Sequence, residues 1–382
     1  MPGAAGANAE TPALAWRDLV QSPRLVRWVD LALKNNRDLR VAMLNVQRAQ
    51  AQLGLADANR LPAVGAGLNA ARAPNSRGEQ ANSLSAGVQL SAWEIDLFGR
   101  LANLSEAARA QLLASEAGSR AAELSLVAAV LQAGLALQAD EELLALARQA
   151  LASRDQTLQL TKMRESVGAA SLLELQGQQT LAAQARASIA QLTRQQAQDS
   201  NALALLLGQP VPMDAPAANG SASTAGRPTL ADEAWLAEVP AGLSSSVLLA
   251  RPDVIAAEQA MRAAQANIAA ARAARRPAIT LTAQAGQASP QLAGLFAGGN
   301  LVYTLAASAV ATIFDGGRRQ AGVDVAVVNQ QIALAQYERS LQSAFRETAD
   351  ALAGLATWRE QLAAQTAQRD ATRDTARLTE LK

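Results

Sequence analysis

Residues 62–92 have the sequence PAVGAGLNAARAPNSRGEQANSLSAGVQLSA, and the fold follows from their pattern. In it, apolar side chains alternate with small or polar ones from Val64 to Ala70 and again, after a polar turn, from Leu84 to Ala92. Because successive side chains of a strand point to opposite faces, this alternation predicts a long β-hairpin. One face of the hairpin is apolar, and the other is small and polar.

Helical patterns flank the hairpin on both sides. A helical period covers residues 25–61, and a second one covers residues 97–207. No proline occurs between Pro74 and Pro210, so nothing interrupts a helix of roughly 100 Å before Gly168. We therefore predict a long helix, a tip turn near Gly168 and an antiparallel return helix.

The second half of the chain repeats the first. When Pro62 is aligned with Pro277, Asp38 falls on Asp253 without a gap. A nearly identical offset aligns Gly99-Arg100 with Gly317-Arg318. The chain is therefore an internal duplication whose unit is helix, β-hairpin and long helix.

The composition excludes several classes of function. The 34 Lys and Arg residues almost balance the 33 Asp and Glu residues, and no basic stripe of the kind that binds nucleic acid is present. Histidine and cysteine are absent, which removes imidazole and thiolate metal sites, cysteine nucleophiles and disulfides. No phosphate loop, nucleotide fingerprint or nucleophile elbow occurs. We expect no enzyme, no cofactor, no metal and no nucleic-acid partner.

The hairpins are the segments that suit a membrane. No apolar run of about eighteen uncharged residues occurs, so the sequence predicts no transmembrane helix. The start, MPGAAGANAE, lacks the basic and apolar regions of a secretory signal. The strands are long enough to span a bilayer, and an apolar outer face with a polar inner face is typical of a β-barrel in lipid. Four strands would leave open edges there, so we expect several chains to share one barrel.

The pattern alone leaves an alternative open. A soluble antiparallel coiled-coil protein could carry the hairpins as small capping decorations. The length and the apolar face of the hairpins favour the membrane interpretation.

Three motifs resemble a known family. They are WEIDLFGR at residues 93–100, LLARPDV at residues 248–254 and IFDGGR at residues 313–318. The resemblance, which runs in order from about Trp16 to Lys382, is to outer-membrane efflux channels of the OprM and NodT type within the TolC superfamily.

The resemblance implies a homotrimer with a twelve-stranded β-barrel in the outer membrane of a Gram-negative bacterium and a helical tunnel in the periplasm. It implies outer-membrane lipid around the barrel, a periplasmic adaptor (membrane fusion protein) and an inner-membrane resistance-nodulation-division pump as partners. Drugs, dyes or metal ions would pass through a duct that uses no energy of its own. An exit duct for type I protein secretion, or a non-functional truncated helical remnant, is the alternative.

The predicted organisation is mainly α with a small β part, in eight segments. They are an N-terminal arm (1–24), equatorial and first tunnel helices (25–61), the first β-hairpin (62–96), the first long tunnel helix with its tip turn and return helix (97–207), an equatorial linker with a short helix around Trp235 (208–245), a helix of the second repeat (246–276), the second β-hairpin (277–314) and the second long tunnel helix (315–382). The pattern is still helical at Lys382, so by analogy with the first repeat we expect a return helix beyond it.

The sequence departs from the family pattern in several ways, one of which is Arg276, which stands before the second strand-opening proline where an aromatic residue is common. Related channels usually begin the mature chain with a lipidated cysteine, and this sequence contains none, so we expect that a lipid anchor is either trimmed away or absent. An aromatic residue is usual in the first long helix where Gly134 stands here. We expect weaker local packing at that position.

The tip turn contains the first group of candidate site residues, Gly168, Ser171 and Glu174. The resemblance implies that this turn meets the adaptor and that Glu174 lies at the pore constriction, where three carboxylates would favour cations. Local structure offers another explanation, because Gly168 fits a helix C-cap and Ser171 with Glu174 fits a capping box.

The second group lies where strands pass into helices. It comprises Trp93, Glu94, Asp96, Phe98, Arg100, Phe314, Asp315 and Arg318. The charged members are expected to bond to one another or to the helix starts. The aromatic members, with Tyr303, could form an interfacial belt.

Overall fold

The computed structural model describes residues 16–74, 76, 78–212, 230, 235–237, 246–296 and 299–380. The helices are α1 (Trp16–Leu19), α2 (Pro23–Asn35), α3 (Arg37–Ala58), α4 (Arg100–Ser166), α5 (Leu172–Leu207), α6 (Ser246–Leu249), α7 (Pro252–Ala273) and α8 (Arg318–Glu380), and the strands are β1 (Val64–Pro74), β2 (Gln80–Glu94), β3 (Ala278–Ser289) and β4 (Leu301–Val310). The protein is mainly helical with one small antiparallel sheet, which confirms the predicted fold class.

The chain divides into two compact units. The first comprises residues 1–44 and 119–244, and the second comprises residues 45–118 and 245–382. The sheet belongs entirely to the second unit, whereas α2 and α5 belong to the first.

The core of the first unit is built around α2. Leu25, Trp28, Val29 and Ala32 of this helix are buried, and their spacing of three, one and three residues is that of a single helical face. This face packs against buried residues of α4 and α5 that belong to the same cluster. The residues contributed by α4 and α5 are Leu126, Val127, Val130, Leu137, Leu203 and Leu207.

Gly134 of α4 makes room for this packing. A Cβ atom at that position would lie 2.8 Å from Cδ2 of Leu25 and 3.0 Å from Cζ3 of Trp28. Trp28 is only 2% exposed, so its ring fills the space that a side chain at position 134 would need. The expectation of weak packing at Gly134 is wrong, because α2 supplies the aromatic ring.

The second unit holds one four-stranded antiparallel sheet in the order β1-β2-β3-β4. Pairing of β2 with β3 joins the two hairpins, one from each repeat. The register aligns Val64 with Leu90, Leu90 with Ala283 and Ala283 with Leu305. Most of the large apolar residues of the four strands therefore lie on one face of one sheet, and Gly, Ser, Asn, Gln and Thr residues predominate on the other, which also carries Val302 and Val310 of β4.

Two glycines allow β2 and β3 to lie close together. Gly87 and Gly286 are direct partners across the two strands. A Cβ atom on Gly87 would collide with the carbonyl oxygen of Ala285, and one on Gly286 would collide with that of Ala86. The contact between the two repeats thus requires glycine at both positions.

Two predictions for short segments of the first unit need correction. Residues 16–24 are predicted to belong to a loosely structured arm, but they contain α1 and the first two residues of α2, and Val20 between the two helices is buried. The short helix predicted around Trp235 is absent from residues 235–237, because Leu236 forms an antiparallel bridge with Val20. The rest of the predicted arm, and most of the predicted linker over residues 208–245, lie outside the described residues.

One of the described helices, α4, contains a stretch that is long and apolar enough to cross a membrane by length and composition alone. Of that stretch, 33% is buried in the structure. The uncharged run at the centre of this stretch, residues 124–139, is shorter than the eighteen residues that the sequence criterion requires. Core helices of soluble proteins meet the same length and composition test, so this is weak evidence for a membrane span.

Substitution of Gly134 tests the packing of α2 on α4. Gly134→Ala should lower stability by about 1 kcal/mol, because overpacking outweighs the gain of about 1 kcal/mol in helix propensity. Gly118→Ala in the same helix is the matched control, since no neighbouring atom lies within 4 Å of its Cβ position. The control should raise the melting temperature of the purified chain. Equal shifts for both variants would contradict the packing.

Candidate functional site

The junction between β2 and α4 is fixed by an ion pair. Nε and Nη2 of Arg100 donate to the two carboxylate oxygens of Glu94, at 2.8 and 2.5 Å. Glu94 is the last residue of β2 and Arg100 the first of α4. Such a two-point contact sets the direction in which the helix leaves the strand.

Asp96 and Gly99 shape the first turn of α4. Oδ2 of Asp96 accepts a hydrogen bond of 2.7 Å from the backbone N–H of Ala102, which has no partner within the helix. Gly99 has a φ of 75°, a conformation that other residues rarely adopt. Glu94 thus bonds to Arg100 and Asp96 to the helix start, which are the two kinds of contact that the sequence predicts for these charges.

At the junction between β4 and α8, Asp315 bonds to the start of the helix, which is one of the two arrangements that the sequence predicts. Asp315 accepts hydrogen bonds from the backbone N–H groups of Gly317 (3.0 Å) and Arg319 (3.2 Å). Its side chain lies 3.7 Å from Nε of Arg319, and Arg319 also donates to the hydroxyl of Thr312. The sequence-based prediction missed Arg319, although its spacing of four from Asp315 was the available signal. The side chain of Arg318 forms no ion pair with Asp315, although the backbone N–H of Arg318 donates to the carbonyl of Asp315 at 3.3 Å.

The two junctions meet at an open pocket of about 400 Å³. Of the predicted junction residues, it brings together Glu94, Asp96, Phe98, Arg100 and Arg318. Trp93, Phe314 and Asp315 do not line it.

The aromatic residues lie at the two ends of the strands. Trp93, Phe98 and Phe314 are at or just beyond the junction ends of β2 and β4, while Tyr303 is near the opposite end of β4. Phe314 and Tyr303 are 89% and 80% exposed, and the indole N–H of Trp93 donates to the carbonyl of Arg60 at 3.1 Å. The interfacial belt stays a prediction, to which Phe296 near the opposite end adds an exposed residue that the sequence pattern did not single out.

The tip turn contains a C-cap that ends α4 and an N-cap that starts α5. Gly168 has a φ of 75°, and the N–H of Ala169 donates to the carbonyl of Arg164 at 2.7 Å, which closes α4. Oγ of Ser171 accepts a hydrogen bond of 3.1 Å from the N–H of Glu174, which starts α5. The carboxylate of Glu174 lies 3.8 Å from Nη1 of Arg164 and is partly exposed. Its charge is therefore at the surface of the tip.

Comparison with known proteins establishes the family. The sequence matches the family described as outer membrane efflux protein over residues 28–209 and 243–382. The chain belongs to this family.

Two curated relatives illustrate the efflux family. TtgC of Pseudomonas putida, the outer membrane protein of a toluene efflux pump, is 38% identical over 372 residues, which are 96% of this chain and 75% of TtgC. The outer membrane protein OprJ of Pseudomonas aeruginosa is 40% identical over 365 residues, which are 93% of this chain and 74% of OprJ. The chain thus spans about three quarters of either relative, and like them it is an outer-membrane protein.

A solved channel supports the fold of this efflux protein. The open state of the MtrE outer membrane channel of Neisseria gonorrhoeae superposes with a TM-score of 0.86 at 36% identity. The match covers 96% of this chain and 81% of MtrE. The similarity therefore includes the helices as well as the sheet.

The motif Arg251-Pro252-Asp253 of the efflux protein connects α7 to α8. The guanidinium of Arg251 donates to both carboxylate oxygens of Asp253, at 3.1 and 2.8 Å, and to Glu347 of α8 at 2.8 Å. Hydrogen bonding to Arg251 lowers the pKa of Asp253 below its usual range. Pro252 occupies the first turn of α7, so the motif both starts this helix and fixes it to α8.

A carboxyl pair that the sequence did not reveal lies inside the first unit. Asp140 of α4 is 8% exposed, and its Oδ2 has no hydrogen-bond partner among the described residues. Burial, reinforced by a hydrogen bond with Asp199 of α5, raises the pKa of Asp140 to about 6. Asp199 also accepts a hydrogen bond of 2.9 Å from Gln195. Only the packing of α4 on α5 brings the two carboxyls together.

This pair predicts a pH dependence. The raised pKa means that the folded chain holds the Asp140 proton more tightly than the unfolded chain, so its stabilising contribution is complete below about pH 4 and is lost as the pH rises through about 6. Asp140→Asn should therefore raise stability by roughly 1 to 2 kcal/mol at pH 7.5 and change it little at pH 4.5. Melting temperatures across this range measure the difference from wild type. Glu106→Gln, at an exposed site of the same helix, should show no such pH-dependent difference, and a flat difference for Asp140→Asn would contradict the interpretation.

Proposed function

We propose that three copies of this efflux protein form a passive exit duct that leads from the periplasm across the outer membrane. The observation that carries the proposal is the sheet, which is apolar on one face, small and polar on the other, and open at both edge strands. The chain supplies a path and catalyses no reaction, which fits its lack of histidine and cysteine.

The sheet is exposed on its apolar face. Leu68, Leu305 and Val64 are 80%, 71% and 70% exposed, although all three belong to this face. In water such a surface would favour aggregation, whereas in hydrocarbon it is the stable arrangement. The polar face then lines the lumen.

Closure of the sheet requires other copies. Among the described residues β1 and β4 each pair on one side only, and unpaired backbone groups cost several kcal/mol each in hydrocarbon. Three sheets placed in a ring join β1 of one copy to β4 of the next. The result is a twelve-stranded barrel without edges.

The last helix offers a matching surface for tunnel assembly. In α8, Val325, Ile332, Phe345, Leu355 and Trp358 are each at least half exposed. These side chains are spread around the helix, and apolar side chains exposed in this way normally pack against other helices. We assign α8 to the wall of a tunnel, where the return helix expected beyond residue 382 and helices of neighbouring copies cover these side chains.

The duct would serve a pump in the inner membrane through a periplasmic adaptor. The name of TtgC assigns it to a toluene efflux pump, and by similarity we propose small drug-like or solvent-like molecules as cargo for this chain. The same name favours efflux over protein secretion. The adaptor would meet the tip turn around Gly168.

Arginine substitutions on the two faces of β1 test the barrel. Leu68→Arg places a charge on the proposed lipid face, which should cost about 2–4 kcal/mol near the midplane, and should reduce the amount of trimer in the outer membrane. Asn69→Arg, the neighbouring position on the lumen face, is the matched control and should assemble as wild type does. Cross-linking and mass measurement in detergent count the protomers. A detergent-free monomer, or equal effects of the two substitutions, would refute the shared barrel.

Glu174 is proposed to lie at the pore constriction. Three partly exposed carboxylates at the tip would attract cations, so Glu174→Gln should reduce the cation preference of the channel in planar bilayers. Glu338→Gln, at an exposed site on α8, should leave it unchanged. If the cation preference of the Glu174→Gln channel equals that of wild type, the proposed constriction role is refuted and Glu174 acts only in the local structure at the start of α5.

A further inference from the structure

The pocket between the two junctions carries more positive than negative charge. Its ionisable lining residues are Glu94, Asp96, Arg100, Arg276, Arg318 and Arg319. Both carboxylates are already engaged, Glu94 by Arg100 and Asp96 by the N–H of Ala102. Arg319 lies beside Asp315 at 3.7 Å.

Two arginines of the pocket remain without a partner. In the described part of the chain, no carboxylate lies within 4.0 Å of the guanidinium of Arg276 or Arg318, and both residues are exposed. An exposed arginine does not need an ion pair, but two of them lining one pocket create a local positive potential.

This excess of positive charge is specific to the second repeat. The alignment that places Arg318 on Arg100 also places Thr312 on Glu94, so the second repeat lacks the carboxylate that neutralises the first arginine. The alignment of Pro277 with Pro62 places Arg276 on Leu61. Relative to the first junction, the second has therefore gained two positive charges, Arg276 and Arg319 (which aligns with Leu101), and lost the negative charge of Glu94.

The same pocket has an apolar side. Leu97, Phe98 and Ile279 line it, and Leu97 and Phe98 are 64% and 46% exposed. A site with two arginines beside exposed apolar side chains suits an amphiphile with an anionic head better than a free anion.

We propose that this pocket binds the phosphate of an anionic glycerophospholipid in the periplasmic leaflet of the outer membrane. Arg276 and Arg318 donate hydrogen bonds to the phosphate oxygens, and an acyl chain lies along Leu97 and Phe98. Arginine is suited to the contact because its planar fork binds two phosphate oxygens at once. The proposal rests on the proposed function, which places the strands in the membrane and hence the junctions at the level of the lipid headgroups.

Native mass spectrometry of the whole chain in non-ionic detergent tests the lipid site. Phosphatidylglycerol is added, and phosphatidylcholine with the same acyl chains serves as the comparison. Wild type should bind phosphatidylglycerol preferentially. Arg276→Gln and Arg318→Gln should each weaken that binding about fivefold, and binding of phosphatidylcholine should change little.

Matched variants separate charge from folding. Arg276→Lys and Arg318→Lys keep the charge and should retain most of the preference, while Arg339→Gln, an exposed arginine further along α8, should bind as wild type does. If either glutamine variant fails to assemble, binding is measured with the lysine variant at the same position instead. A lysine variant that binds phosphatidylglycerol no better than phosphatidylcholine would count against the proposal.

Three outcomes would overturn the lipid site. They are equal binding of the two lipids by wild type, wild-type binding by the double variant Arg276→Gln with Arg318→Gln, and displacement of phosphatidylglycerol by an equal concentration of inorganic phosphate. A chain that fails to assemble in detergent contradicts the proposed channel. An assembled trimer without an arginine-dependent preference contradicts only the lipid site.

Discussion

Backbone hydrogen bonding at the two open edges of the sheet is the constraint on which the rest of the structure depends. Every N–H and C=O group in hydrocarbon needs a partner within the protein, and β1 and β4 each offer one row of groups without one among the described residues. Side chains cannot satisfy such a row. The edges therefore favour assembly, and the exposed apolar surfaces of the helices are consistent with it.

The two faces of the sheet impose a second constraint, which determines where charged residues can lie. Because one face must be apolar and the other small and polar, the strands carry few charged groups, and the charges that fix geometry lie at or just past the strand ends. Arg100 with Glu94 and Arg319 with Asp315 illustrate this placement. Each pair lies where a strand gives way to a helix, so hydrogen bonds rather than apolar packing determine the direction of the helix.

The period of the sequence predicted the elements, but it could not predict their neighbours. Alternation in residues 62–92 was sufficient for a hairpin, and the internal repeat predicted a second one. The pairing of β2 with β3 depends on close approach at Gly87 and Gly286, which no periodicity reveals. The carboxyl pair of Asp140 could not be predicted for the same reason, since its partner Asp199 is distant in sequence. The prediction of weak packing at Gly134 was wrong because the ring that fills the space beside it, Trp28, comes from another helix.

Duplication explains why the two junctions differ in charge although they share a fold. A repeat needs its strand-to-helix turn, but it can build that turn with different bonds, since Asp315 uses Arg319 where Glu94 uses Arg100. Once the second repeat formed its turn in this way, the arginine at position 318 was no longer required for the local structure. An exposed charge that the fold does not use costs little to keep in water. Beside a membrane it acquires an energetic role through the headgroups, so the membrane surface, rather than the protein interior, accounts best for the charges of the second junction.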